Sequence, residues 1–373
     1  MRGIFGLSAV SFFGVVASVA GAATTTYNSN GTGGGSWTSA GTWMSGVPTT
    51  GSFTVKSGDT VTASNVTLDC GSTNPQIYGT LNLNNGSNFT NFNRINYSGT
   101  ADGGVINLNN STLTGTYLYS QTYALTVNVN SGGVLNTPVA SSSNTTVNVN
   151  TGGTFNVTST AGTININDGT MVDTDGGTNQ FPVTSWNGGT YVVNSATQSA
   201  ATIGNLSTRL ANNAANVLDL SNKSTKQIYT TNNSIVKLTG GIVRMHVYSA
   251  ASDDSDQFNY LTLGSFDFSS NVTLQFNDQG ALPGVAGDYL GKSYKLFTPS
   301  KASYYSVILP TLAASQWNIG GQLYNVNFTN TLSTNGTLTV SSLSAVPEPA
   351  ALALLVTGGA WALRRRSRSQ ASQ

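Results

Sequence analysis

Five short segments of this chain share one pattern. Leu81-Asn82-Leu83-Asn84-Asn85-Gly86, Ile106-Asn107-Leu108-Asn109-Asn110-Ser111, Val127-Asn128-Val129-Asn130-Ser131-Gly132-Gly133, Val147-Asn148-Val149-Asn150-Thr151-Gly152-Gly153 and Ile164-Asn165-Ile166-Asn167-Asp168-Gly169 each alternate an apolar residue with asparagine and then turn. Their starts lie 25, 21, 20 and 17 residues apart. Successive side chains of a strand point to opposite faces, so Val127 and Val129 fall on one side and Asn128 on the other, the pattern of a strand with one buried face. A second strand often follows the turn, as in Val134-Leu135-Asn136 or Thr154-Phe155-Asn156-Val157. Strand, glycine-containing bend, strand and bend, repeated along the chain, predict an all-β fold, a right-handed parallel β-helix in which each coil lies on the one before.

Stacked coils place equivalent residues about 4.8 Å apart. Apolar positions then form one continuous narrow core, and asparagines can hydrogen-bond from coil to coil as side-chain ladders. Glycines suit corners where φ is positive. The N-terminal edge of such a stack needs a cover, since an open strand edge invites aggregation. Residues 37–83 are read as that cap, with Trp37 and Trp43 as buried cap and core rather than a sugar platform. Beyond residue 200 the repeats loosen. Val217-Leu218-Asp219-Leu220 and 242–247 still read as strands, Gly240-Gly241 as a tight turn, and a block rich in tyrosine around Trp317 follows. The boundaries expected are a solenoid over 23–240 and a closing β-module over 241–345, with one continuous all-β body as the alternative.

Both ends depart from this pattern. Residues 4–19 are almost wholly apolar after a single charge on Arg2, and Ala20-Gly21-Ala22 offers the small residues a signal peptidase prefers, so 1–22 reads as a signal peptide. At the other end, 346–373 holds three parts in order. Pro347-Glu348-Pro349 comes first. An apolar run over 350–363 follows, including Ala350, Leu352, Leu354, Leu355, Val356, Trp361 and Leu363, and the chain then turns basic at Arg364, Arg365, Arg366 and Arg368. As a helix that run would be about 21 Å long, short of the roughly 30 Å hydrocarbon core. The prolines favour an accessible extended strip before it, and the arginines favour the cytoplasmic side.

This order resembles the PEP-CTERM sorting signal of Gram-negative bacteria, recognised by the membrane enzyme exosortase. The resemblance covers the last tenth of the chain. It implies export, transient residence in the inner membrane, cleavage near Pro347-Glu348-Pro349 and delivery to the cell surface or exopolysaccharide. The order of strands in the cap is similar to the opening of surface β-helix and autotransporter-like passenger proteins, and the block after residue 240 to the module that closes many of them.

Charge sharpens the picture. Setting aside Arg2, the tail arginines and Glu348, the body carries a formal charge of −3, and Glu348 is the only glutamate in the chain. A slightly acidic body without a basic patch argues against nucleic acid as a partner. The lone cysteine, Cys70, can form no internal disulfide and reads as a packed residue rather than a nucleophile.

Candidate chemistry is sparse. Glycoside hydrolysis asks for two carboxyl groups about 5–10 Å apart; Asp253, Asp254 and Asp256, or Asp173 and Asp175, are the candidates, none in a recognisable motif, and residues 252–255 read as a polar loop. His246, the single histidine, lies in an alternating run without a Gly-x-Ser-x-Gly elbow and reads as a strand histidine. One histidine and one cysteine cannot supply a zinc site, and Asp168 with Asp173-Thr174-Asp175-Gly176-Gly177 is only a fragment of a calcium loop. The expectation is therefore a non-catalytic surface or matrix protein without cofactor or metal, with a carbohydrate-binding or carbohydrate-active β-helix as the alternative.

Overall fold

The computed structural model describes residues 27–96, 103–120, 124–140, 143–157, 162–174, 183–194, 200–201, 213–220, 226, 228–231, 235–238, 240–260, 265–268, 271–278, 280–298 and 311–347. They are nearly all β. Two long parallel sheets dominate, and the chain alternates between them. An eight-stranded sheet includes Thr60–Ser64, Thr80–Asn84, Val105–Asn109, Leu125–Val129, Thr145–Asn150, Thr163–Asn167 and Val183–Trp186. An eleven-stranded sheet runs from Thr67–Asp69 through Asn88–Ile95, Thr112–Leu118, Val134–Asn136 and Thr154–Val157 to Gly241–Val247, Val272–Asp278 and Thr311–Leu312. This pairing is consistent with a β-solenoid.

The five sequence segments stack in the expected register. Val127 lies opposite Ile106 and Val147, and Val147 opposite Ile164. Their apolar members face inward. Ile106, Val127, Val129, Val147, Val149, Ile164 and Ile166 are completely buried, and removing each such side chain from water stabilises the fold by about 1.5–3 kcal/mol. The asparagines face outward and do form ladders. Asn107, Asn128, Asn148 and Asn165 each donate their amide to the asparagine one rung before, starting at Asn82, at 2.8–2.9 Å. Asn109, Asn130, Asn150, Asn167 and Asn187 do the same from Asn84, at 2.8–3.3 Å.

The corner after these strands needs positive φ, and glycine is not alone in supplying it. Gly132 and Gly152 sit at +68° and +72°, whereas Asn85, Asn110 and Asp168 take +53°, +48° and +60° at the matching turns. Short polar side chains tolerate this left-handed region best after glycine.

Aromatic clusters close both ends. Trp37 packs edge-on against Trp43, Phe53 and Phe89, with centroids 4.8, 4.9 and 4.8 Å away, and is buried, as its reading as cap requires. Trp317 meets Phe276, Phe328, Tyr294 and Tyr289 at 5.6–6.1 Å and donates to the Phe276 carbonyl at 3.1 Å. It belongs to a five-stranded, mostly antiparallel sheet of Ala281–Leu282, Ser315–Ile319, Gln322–Thr331, Thr337–Ala345 and Ser293–Lys295.

Parallel pairing crosses residue 240 without a break. Gly241–Val247 lies between Asn216–Asp219 and Val272–Asp278. Gly241, expected in a tight turn, instead opens that strand, with a φ of +86°. Among the described residues no helix is long and apolar enough to cross a membrane. Residues 1–22, expected as a signal peptide, and the apolar run 350–363 lie outside the described residues.

Candidate functional site

Parity along Gly241–Val247 decides what faces where. Val243, Met245 and Val247 point inward and are fully buried, which sends Arg244 and His246 to the outer face. In register beside Arg244 stand Asp219 on one side and Gln275 on the other. The Arg244 guanidinium donates to Asp219 Oδ2 at 2.8 Å and to Gln275 Oε1 at 3.1 Å, so three successive rungs are joined by charged and polar side chains where the two preceding rungs of this column carry Val172 and Val192.

His246 is outward yet only 6 % exposed, because the loop after its strand folds back over it. The Asp256 N–H donates to the His246 carbonyl at 2.9 Å. In return Asp256 Oδ2 accepts the His246 backbone N–H at 2.8 Å and lies 3.2 Å from its Nδ1. Tyr248 Oη donates to Asp256 Oδ1 at 2.9 Å. The other ring nitrogen, Nε2, is 3.8 Å from Asp219 Oδ1, a buried oxygen with no hydrogen-bond partner among the described residues.

Over this floor the antiparallel sheet raises a wall. Arg244, His246, Gln275, Asn277 and Asp278 from the parallel strands and Gln316, Leu323 and Asn325 from the antiparallel ones line a depression of about 640 Å³. Burial pushes the Asp278 carboxyl above its usual range, although backbone N–H groups of Asn318 and Gly280 and the nearby His246 pull it back. Gln316 donates to Asn325 Oδ1 at 2.8 Å, which fixes both amides at the rim.

The other candidates do different work. Asp253 sits at a φ of +62°, and its Oδ1 accepts the Lys295 N–H at 2.9 Å. Asp254 accepts from Ser249 and Asp256 from His246 and Tyr248. Each of the three is thus committed to local structure. Asp173 accepts from Tyr191 Oη at 2.6 Å, and Asp175 lies outside the described residues. Cys70 is buried and burial pushes its thiol up to about 12, so at neutral pH it is a protonated packing residue.

Of the residues expected as a sorting motif, Pro347 alone is among the described residues. Val346 is tied to the body by its N–H to the Leu323 carbonyl at 2.8 Å and by Gln322 Nε2 to its own carbonyl at 3.0 Å, and Pro347 is exposed. Glu348, Pro349, the anchor residues and the arginine cluster lie outside the described residues. The sequence reading reaches His246 and Asp256 but not Asp219, Arg244, Gln275 and Asn277 as their neighbours. The available signal was charge, because Arg244 and Asp219 appear at outward positions of strands whose counterparts are Asn, Thr and Val. The chain matches no protein-family model, no curated protein and no solved structure.

Proposed function

We propose that this chain is an exported, non-catalytic surface or matrix protein, its body a right-handed parallel β-solenoid with a closing C-terminal module, sorted by exosortase through its C-terminal tail. The right hand follows from the strong preference of parallel crossover connections for it. Signal peptidase removes 1–22, the inner membrane holds the tail transiently, and the freed body resides in exopolysaccharide. The observation that carries the reading is that, among the described residues, Val346 is the last one hydrogen-bonded to the body and Pro347 beside it is exposed, so a cut at Pro347-Glu348-Pro349 would leave the described body whole. Catalysis has little to recommend it in Asp253, Asp254 and Asp256, each of which serves a hydrogen bond within the fold.

Replacing the motif by P347A/E348A/P349A is expected to leave the protein full-length in the inner-membrane fraction. Unchanged release of a shortened protein would end the sorting proposal. Reducing ends released from neutral or acidic polysaccharides by the purified chain would end the non-catalytic one.

A further inference from the structure

We infer that the depression over His246 binds a neutral saccharide unit of a polysaccharide. The ligand class follows from shape, charge and donor pattern. Its volume of about 640 Å³ falls within the roughly 300–1,000 Å³ of small-molecule sites. Four carboxamides line it, those of Gln275, Asn277, Gln316 and Asn325. Each offers donors beside an acceptor, which is what vicinal hydroxyl groups, themselves both donor and acceptor, require.

Preorganisation is visible in the same groups. Gln316 is hydrogen-bonded to Asn325, and Arg244 is held between Asp219 and Gln275, so little side-chain freedom remains to be lost on binding. Leu323, 39 % exposed, adds an apolar shelf at the rim for the C–H face of a sugar ring. Beneath the lining, His246 Nε2 and the buried, unpartnered Asp219 Oδ1 lie 3.8 Å apart, too long for a direct bond.

Charge narrows the ligand. Asp219, Asp256 and Asp278 surround one guanidinium and one imidazole, so the site repels a polyanion. A metal ion is poorly served, because among the described residues no three His, Cys, Asp or Glu side chains converge for one.

The test uses the full chain in detergent, titrated calorimetrically with hexasaccharides of β-1,4-glucose, β-1,4-mannose and α-1,4-glucose, with hexagalacturonate as the anionic comparator and calcium chloride alone as the ionic one. At least one neutral hexamer is expected to bind with a Kd of about 10 μM to 1 mM, a range ordinary for a single shallow site. The double variant Q316A/N325A should weaken it tenfold or more without changing Tm. Should that variant fold poorly, Leu323→Ser provides the second reading, with a loss of threefold or more. Absence of binding by all three neutral hexamers, tighter binding of hexagalacturonate or calcium, or affinity unchanged in well-folded variants would each overturn the inference. Membrane retention of the P347A/E348A/P349A protein is read at other residues, so either proposal can fail alone.

Discussion

The eight-stranded sheet and the late rungs of the eleven-stranded sheet, residues 216 to 278, finish their outward faces differently. In the first region, asparagine follows asparagine, each donating to the rung before and accepting from the rung after. An amide is its own complement under translation, so this face can be extended rung by rung and satisfies itself. In the second region Asp219, Arg244 and Gln275 occupy successive rungs. A guanidinium has no acceptor and a carboxylate no donor, so this column is satisfied in one order only. Repetition on one sheet makes a wall; a column of unlike side chains on the other makes a place where different groups converge, and there the antiparallel sheet adds Gln316, Leu323 and Asn325.

Three substitutions break or sharpen that contrast. The largest effect is expected at Trp317, the indole that ties the antiparallel sheet to the last long parallel strand through Phe276. Trp317→Ala should cost about 3–5 kcal/mol. Stacked repeats contact mainly their neighbours, so the loss should be local, with limited proteolysis removing the C-terminal module while the 81–187 rungs survive. Simultaneous digestion of both regions would show the two to be one cooperative unit.

Arg244→Gln comes next. It leaves the largely buried Asp219 carboxylate without its cation, and about 1–3 kcal/mol of stability should go with it. Arg244 is 32 % exposed in its side chain, so the cost should shrink as salt is raised from 0.05 to about 1 M, where the Debye length falls to roughly 3 Å. A salt-independent loss would mean packing rather than charge.

Asn128→Ala is the mildest. It removes the bond to Asn107 and the one accepted from Asn148, for about 1–2 kcal/mol by denaturant titration, with no salt dependence. A neutral outcome would mean that water replaces the ladder at no cost.

Much of the fold could be read from the chain because its information is local and repeated. The spacings of 25, 21, 20 and 17 residues between segments are the sequence separations of the Asn107–Asn82, Asn128–Asn107, Asn148–Asn128 and Asn165–Asn148 bonds. Corners were less legible, since Asn85, Asn110 and Asp168 serve where glycine does elsewhere. The change of texture after residue 240 was visible in the residues, but it does not interrupt parallel pairing: strands Ile228–Thr231 and Ile235–Leu238 intervene in the chain without altering the register of Gly241–Val247 on Asn216–Asp219.

The candidate site was legible only in fragments. His246 and Asp256 stand ten residues apart, close enough to be noticed together, yet their contact depends on a loop that folds back onto its own strand. Asp219 and Asp278 approach the same imidazole from adjacent rungs, and Gln316 and Asn325 arrive from a sheet of opposite strand sense. What the sequence by itself determined was the period and which residues face inward, because alternation acts within a few residues. What only the tertiary structure decided was the depression over His246, because its lining residues, from Arg244 to Asn325, stand up to 81 residues apart and meet through register and the packing of Trp317.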